Sequence, residues 1–471
     1  MAAPAIKPLV QETESLRRAE ISNDVVEAWH AAAPVDTADF ASDGIRYSRF
    51  WNTSSQILAR LPAKPARDPR QAEAAEHLKR VAREARAGFL RAHAATVYAK
   101  LTRNRSKFVR VEQLIYDAAE LVPGLAPTQA QVDAESAQMQ RDKEGIEIDQ
   151  GIFVSSVLAD ADSGTHLCHA MLLPRQEAIE QLPEFRRSGR LDLGAAELVR
   201  KGNAAYVIQK NPRHLNAEDD TTIDAAEIAV DIATLDPDTQ IGVLRGDHVQ
   251  GGKYDGRRML GSGINLTHLY YGKVPFIWYL QRDLGIVNKF YRGVAREDMV
   301  PDDVNGQTIE KPWIAVVEEF AIGGHCQYLL TMDYVLAARG AFLSLPARKE
   351  GIIPGAANMR LPRFTGERIA RQAIMYQRRL ECDSPEGLLI CDEIVAPEDM
   401  DAAIDRVVEN FTGSGVVSAA SNRRAMRVSQ EPLDLFRRYF AAYALEQAYC
   451  HFSPALIANL EMHWNAKNRK L

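Results

Sequence analysis

The residues best placed to do chemistry close the stretch Lys311-Pro-Trp-Ile-Ala-Val-Val-Glu-Glu-Phe-Ala-Ile-Gly-Gly-His-Cys-Gln327, where an apolar, β-branched run stops at a glycine pair. Backbone N–H groups at such a turn lack a neighbouring carbonyl, and glycine lets a ligand approach them closely. A donor aimed at a developing oxyanion is typically worth about 3 to 4 kcal/mol of transition-state stabilisation. The alternative is a tight turn that needs glycine for its conformation alone. Upstream, Arg258-Met-Leu-Gly-Ser-Gly-Ile-Asn-Leu266 offers another pair of glycines and with it a second backbone donor. Downstream, Phe342-Leu-Ser-Leu-Pro-Ala-Arg-Lys-Glu-Gly-Ile-Ile-Pro-Gly-Ala-Ala357 is a loop punctuated by Gly and Pro that a plain helical scaffold would not need.

Strands and helices must hold these loops. Trp313–Val317 reads as a buried strand, and the apolar spacing over 325–338 predicts a helix whose positive dipole end adds to the donors. Short strands over Ala204–Gln209 and 241–244 alternate with a helix over 222–235, which gives an α/β core. Residues 1 to 200 are dominated by Ala, Arg and Glu, as in Arg70-Gln-Ala-Glu-Ala-Ala-Glu-His-Leu-Lys-Arg-Val-Ala-Arg-Glu84, and read as helices with solvated faces. The segment Leu121-Val-Pro-Gly-Leu-Ala-Pro127 divides them, and after Met400 the chain is helical again, with an aromatic and alanine stripe over 433–449.

Taken in this order, the three glycine-bearing segments resemble the crotonase (enoyl-CoA hydratase/isomerase) superfamily. The resemblance covers about residues 203–445 and implies a repeated ββα spiral core that binds acyl-CoA. The expected organisation is a mostly helical domain over 1–202, the crotonase-like core over 203–400, and a helical trimerisation region over 401–471, with trimers or hexamers as the assembly. By the family's pattern the two thioester donors are the N–H groups of Ile264 and Gly324. Ile353-Pro354-Gly355 and Asn211-Pro-Arg-His-Leu-Asn-Ala217 match two further family segments, and Gly263, Asn265 and His214 fall among the substrate contacts.

The departures narrow the chemistry. A hydratase of the family carries glutamates where this chain has Gln327 and Ala347, and neither side chain accepts a proton near neutral pH, so hydration with paired carboxylates is disfavoured. Gly-Gly-His-Cys-Gln, Leu-Pro-Ala-Arg-Lys-Glu-Gly and the long N-terminal extension resemble the branch that oxygenates 3,5-dihydroxyphenylacetyl-CoA in glycopeptide antibiotic pathways. That resemblance implies O2 as co-substrate, no metal, flavin or haem, and 3,5-dihydroxyphenylglyoxylate and free CoA as products. The implied route passes through an enolate and an α-peroxide. A crotonase-type thioester hydrolase or isomerase, and a non-catalytic acyl-CoA-binding subunit, are the alternatives.

Three side chains are candidates to orient the ring hydroxyls. Glu218 is one, or else an N-terminal helix carboxylate. Arg282 lies in an apolar segment and must find a partner, with a surface pair to Asp283 or Glu297 as the rival reading. Gln327 stands at the family's carboxylate position, and the alternative is a satisfied core amide. His325, on another helix face, reads as packing, and Glu318 and Glu319 as solvated strand-end charges, with buried partners for an arginine as the alternative.

Thr165-His-Leu-Cys-His169 could offer metal ligands, but adjacent Cys168 and His169 rarely both bind one ion, so packing and no metal are expected. The 46% hydrophobic content supplies large cores, and a net charge of −6 gives no basic field for nucleic acid. Five cysteines, at 168, 326, 382, 391 and 450, make no disulfide framework. No apolar run reaches the ~18 residues of a membrane span, and Met-Ala-Ala-Pro is not a leader, so the cytoplasm is the expected location.

Overall fold

The computed structural model describes residues 10–471. Contacts cluster the chain into two units: 1–167 with 275–277 and 440–452, and 168–274 with 278–439 and 453–471.

The first unit is helical. Its longest helix, Pro69–Leu101, contains the alanine-rich stretch that begins at Arg70 and buries Ala74, Leu78, Val81, Ala85 and Phe89 at helical spacing. Phe89 meets Trp51 edge to face at 5.7 Å, and Trp29 stacks on Phe50 at 5.8 Å. Asp68 starts this helix by accepting hydrogen bonds from the N–H groups of Arg70 and Gln71, while Gln71 reaches back to the Asp68 N–H. Asp68→Ala is expected to cost about 1 kcal/mol, measured by denaturant unfolding, because it orphans those donors. Helix Val111–Leu121 ends at the predicted break.

The second unit is built on a seven-stranded sheet. Arg190–Asp192, Ala196–Lys201 and Ala204–Gln209 run antiparallel, and Ile241–Gly246, Trp313–Val317, Tyr334–Ala338 and Glu393–Val395 follow in parallel. Trp313–Val317 is buried at every position, as an apolar run between two parallel neighbours requires. Helix Ile223–Leu235 belongs to the same core, where Ala229, Val230, Ile232 and Ala233 are buried. A smaller sheet joins Phe320–Ile322, Phe342–Ser344 and Leu380–Glu381. Among the described residues no helix is long and apolar enough to cross a membrane.

The predicted helix over 325–338 is corrected. The helix is Gly324–Leu329, and Tyr334–Ala338 is a strand parallel to Trp313–Val317. Leu and Ala satisfy either period, and the choice is made by the partner strand. Asp333 clamps the register by accepting the Trp313 N–H through its side chain at 2.7 Å, while its own N–H reaches the Trp313 carbonyl at 2.9 Å. A helix of six residues contributes little macrodipole, so the local N–H groups at its start carry whatever it offers an anion.

Candidate active site

Two loops meet where the glycine motifs predict donors. Glu218 pairs with Ile264 as an isolated parallel bridge, in which the Glu218 N–H donates to the Gly263 carbonyl at 2.8 Å and the Asn265 N–H to the Glu218 carbonyl at 2.7 Å. That pairing leaves the Ile264 N–H facing the other way. Gly323, at φ 54°, gives its N–H to the Ser344 carbonyl and leads into the helix, so the Gly324 N–H stands at the opening turn. Among the described residues neither N–H has an acceptor. The loops touch: a Cβ on Gly263 would lie 2.9 Å from the Ile322 carbonyl oxygen and 3.3 Å from the Gly324 nitrogen.

His325 holds this junction. It is fully buried, its Nδ1 accepts the Gly263 N–H at 3.0 Å, and its Nε2 therefore carries the proton donated to Gln209 Oε1, also at 3.0 Å. The packing read for His325 is thus also a brace on the loop that carries Ile264. Burial pushes its pKa down to about 4, so the ring stays neutral at physiological pH. As pH falls below about 6.5 the unfolded chain takes up a proton that the fold refuses, and stability is lost between there and pH 4, by up to ~3 kcal/mol. His325→Gln is expected to flatten this stretch of the stability–pH curve, as followed by urea unfolding.

Beside the donors lies a buried polar cluster. Arg282 opens a π-helical turn, Arg282–Ile286, inserted between Ile277–Gln281 and Val287–Arg292. The guanidinium bonds both Glu218 oxygens from Nε at 3.0 Å, Asp283 Oδ1 from Nη1 at 2.8 Å, Gln327 Oε1 from Nη1 at 2.9 Å, and the Gly324 carbonyl from Nη2 at 2.8 Å. Tyr328 donates its hydroxyl to Glu218 and lies under the guanidinium at 4.7 Å. Burial alone would raise the Glu218 carboxyl, but Arg282 against it holds it below the usual glutamate range. Glu218, Arg282 and Gln327, read separately as orienting candidates, are thus one network, with Arg282 3% exposed rather than on the surface. Glycines make room for it. A Cβ on Gly324 would stand 2.3 Å from Glu218 Oε2, and one on Gly355 would stand 2.3 Å from Gln327 Oε1 and 2.9 Å from both Asp283 oxygens.

The remaining sequence candidates lie around this centre. Asn265 caps helix Leu266–Tyr270 through Oδ1 and donates from Nδ2 to Asp219 at 2.8 Å, which commits its side chain to the loop. Half-buried His214 faces the His268 ring at 5.8 Å, and among the described residues no hydrogen bond or ion pair joins its side chain to the cluster. Glu318 and Glu319 pair with Arg245 and Arg257 rather than standing solvated. Asp283 and Tyr328 were not picked out as members of the site. Both adjoin residues that were, but only the π-turn and the fold bring them inward. His166 bonds the Tyr98 hydroxyl and His169 the Arg296 carbonyl. Two other groups, Asp36/Asp43/His93 and Asp219/Asp220/His268, bring three ligand atoms within 4.8 Å of one another. Each already holds internal hydrogen bonds.

The sequence pattern described as enoyl-CoA hydratase/isomerase matches residues 294–440. A curated protein of Amycolatopsis orientalis, named (3,5-dihydroxyphenyl)acetyl-CoA 1,2-dioxygenase, is 45% identical over 394 residues, which is 83% of this chain and 89% of that protein. The chain belongs to the enoyl-CoA hydratase/isomerase, or crotonase, family. A crotonyl-CoA hydratase of Syntrophomonas wolfei subsp. wolfei shares 28% identity over 25% of this chain and 46% of its own. The solved enoyl-CoA hydratase of Bacillus halodurans aligns with 57% of this chain and 99% of its own at 16% identity and a TM-score of 0.47. As a crotonase this chain has an α/β core with a helical N-terminal region and C-terminal helices.

Proposed function

We propose that this crotonase is a cofactor-independent dioxygenase that converts 3,5-dihydroxyphenylacetyl-CoA and O2 to 3,5-dihydroxyphenylglyoxylate and free CoA. The similarity to the Amycolatopsis orientalis dioxygenase supports the reaction class, since it spans most of both chains. The observation that carries the reading further is the cluster itself. Where a hydratase needs free carboxylates, this chain presents Gln327 and an ion-paired Glu218 around Arg282. Such a cluster suits hydrogen bonding to phenolic hydroxyls and not the activation of water.

The thioester oxygen would sit between the Ile264 and Gly324 N–H groups, which strengthen their bonds as the benzylic α-proton leaves and charge moves onto that oxygen. The aryl ring spreads the same charge. The carbanion gives electrons to O2, and recombination forms a C–O bond and an α-peroxide. The distal peroxide oxygen attacks the thioester carbonyl and expels CoA thiolate. Loss of the second α-proton with O–O cleavage leaves the ketone and carboxylate. The product carries one oxygen from the thioester and two from O2, so the atoms balance without another oxidant.

A CoA thioester substrate supports a cytoplasmic location, where the enzyme would serve dihydroxyphenylglycine formation for glycopeptide antibiotics. The family resemblance is what supports assembly into trimers or hexamers. The test is turnover by chelator-treated protein with and without oxygen. Oxygen uptake equal to CoA release is expected, whereas CoA release as fast without oxygen would mean a hydrolase.

A further inference from the structure

Glu218 and Asp283 are both engaged by Arg282, which leaves neither as a good proton acceptor. A third buried carboxyl lies beside the donor loops. Glu350 closes the short helix Ala347–Glu350, whose Arg348 and Lys349 are exposed while Ala347 and Glu350 face inward. A Cβ on Gly323 would be 3.4 Å from the Gly263 Cα and 3.8 Å from Glu350 Oε1. The carboxyl therefore lies beside the point where the two glycine loops come together. Glu350 is 4% exposed, and among the described residues no hydrogen bond or ion pair reaches its side chain.

We infer that Glu350 is the base that removes the α-proton, an inference that rests on the reaction proposed above. One carboxylate oxygen takes the proton, the C–H electron pair becomes the enolate double bond, and the thioester oxygen takes the charge between Ile264 and Gly324. The proton passes next to the departing CoA thiolate, giving the free thiol and restoring the carboxylate. That carboxylate then accepts the second α-proton as the O–O bond breaks. Gly323 is what makes this geometry available: at φ 54° it carries no side chain between the donors and the acid.

The electrostatics fit the task. Burial raises the Glu350 pKa to about 7, and it is the cause identified for that shift. On the two helices packed against it, Arg368 and His463 are exposed, Glu367 and Arg371 pair with each other, and the rest of the charged groups have other partners. Glu461, in helix Pro454–Trp464, holds Tyr270 and Lys467, and Arg360, in helix Ala357–Tyr376, holds Glu431. Arg363 on that second helix also pairs with Glu431. A base with this value is matched to proton transfer near neutral pH.

The test follows deuterium exchange at the α-carbon of 3,5-dihydroxyphenylacetyl-CoA in D2O without oxygen, for the native protein and Glu350→Gln. The native exchange rate is expected to rise with pH to a plateau with its midpoint near 7. Glu350→Gln should lose about 10²–10⁴-fold of it and the pH step, with KM within a few-fold of native. Its melting temperature at pH 8 should match or exceed the native one, because a neutral amide replaces a carboxylate that burial disfavours. Glu350→Asp, which keeps the acid but shortens its reach, should retain a fraction of the rate and the pH step, which a purely structural role would not produce. Native-like exchange and pH dependence in folded Glu350→Gln would overturn the assignment of the base alone. Absence of both exchange and oxygen uptake in the native protein would overturn the proposed reaction, and the inference with it.

Discussion

Arg282→Met is expected to abolish turnover and to cost about 3 to 5 kcal/mol of stability. The guanidinium serves Glu218, Asp283, Gln327 and the Gly324 carbonyl at once, and all three side-chain partners are buried. Methionine fills the space but leaves two buried carboxylates facing each other's charge with no cation. Each must protonate or draw in water, and Glu218 then loses the interaction that holds its pKa down. Arg282→Lys should rescue little, because one ammonium cannot reproduce a planar fork aimed at four acceptors. Urea unfolding and kcat/KM on the same preparations check this. Native stability together with kcat/KM within tenfold of native would contradict the role given to the cluster.

Gly324→Ala is expected to lower kcat by at least 10²–10³-fold, the loss typical of one oxyanion donor. The added carbon would stand 2.3 Å from Glu218 Oε2, 2.8 Å from Arg282 Nη2 and 3.2 Å from its Cζ. Either the helix start moves, taking its N–H out of line, or the ion pair separates. The two effects are told apart by stability, since separating the pair is costly and a shifted N–H is not. Turnover undiminished in Gly324→Ala would sink the assignment of this N–H as a donor.

Much of this site was legible because backbone geometry leaves marks in sequence. Gly263, Gly323, Gly324 and Gly355 stand where a Cβ meets a carbonyl, a second loop or a charged side chain, and no other residue satisfies those positions without strain. Strand Trp313–Val317 was readable because an apolar run between two parallel neighbours carries its own signal, and Ala204–Gln209 because a short apolar run reads as a buried strand even with one antiparallel neighbour. The misread lay at 325–338, where Leu and Ala fit two periods and the pairing partner is remote in sequence. Asp283 and Glu350 were hidden for a different reason. A charged residue beside a glycine or an arginine reads as solvated, and only the π-turn and the inward face of a four-residue helix bury them. His325 was readable as buried but not as the acceptor of the Gly263 N–H, a contact that spans 62 positions along the chain.

The measurement that bears most directly on the proposed reaction is the fate of oxygen. Native protein is given 3,5-dihydroxyphenylacetyl-CoA under 18O2, and the aryl product is reduced at once to prevent ketone exchange and then weighed by mass spectrometry. The α-peroxide route puts both 18O atoms in the arylglyoxylate, one in the ketone and one in the carboxylate, with one free CoA per product. A product that is 3,5-dihydroxyphenylacetate without 18O would contradict it and make the chain a thioester hydrolase, and a product with a single 18O would contradict attack of the peroxide on the thioester.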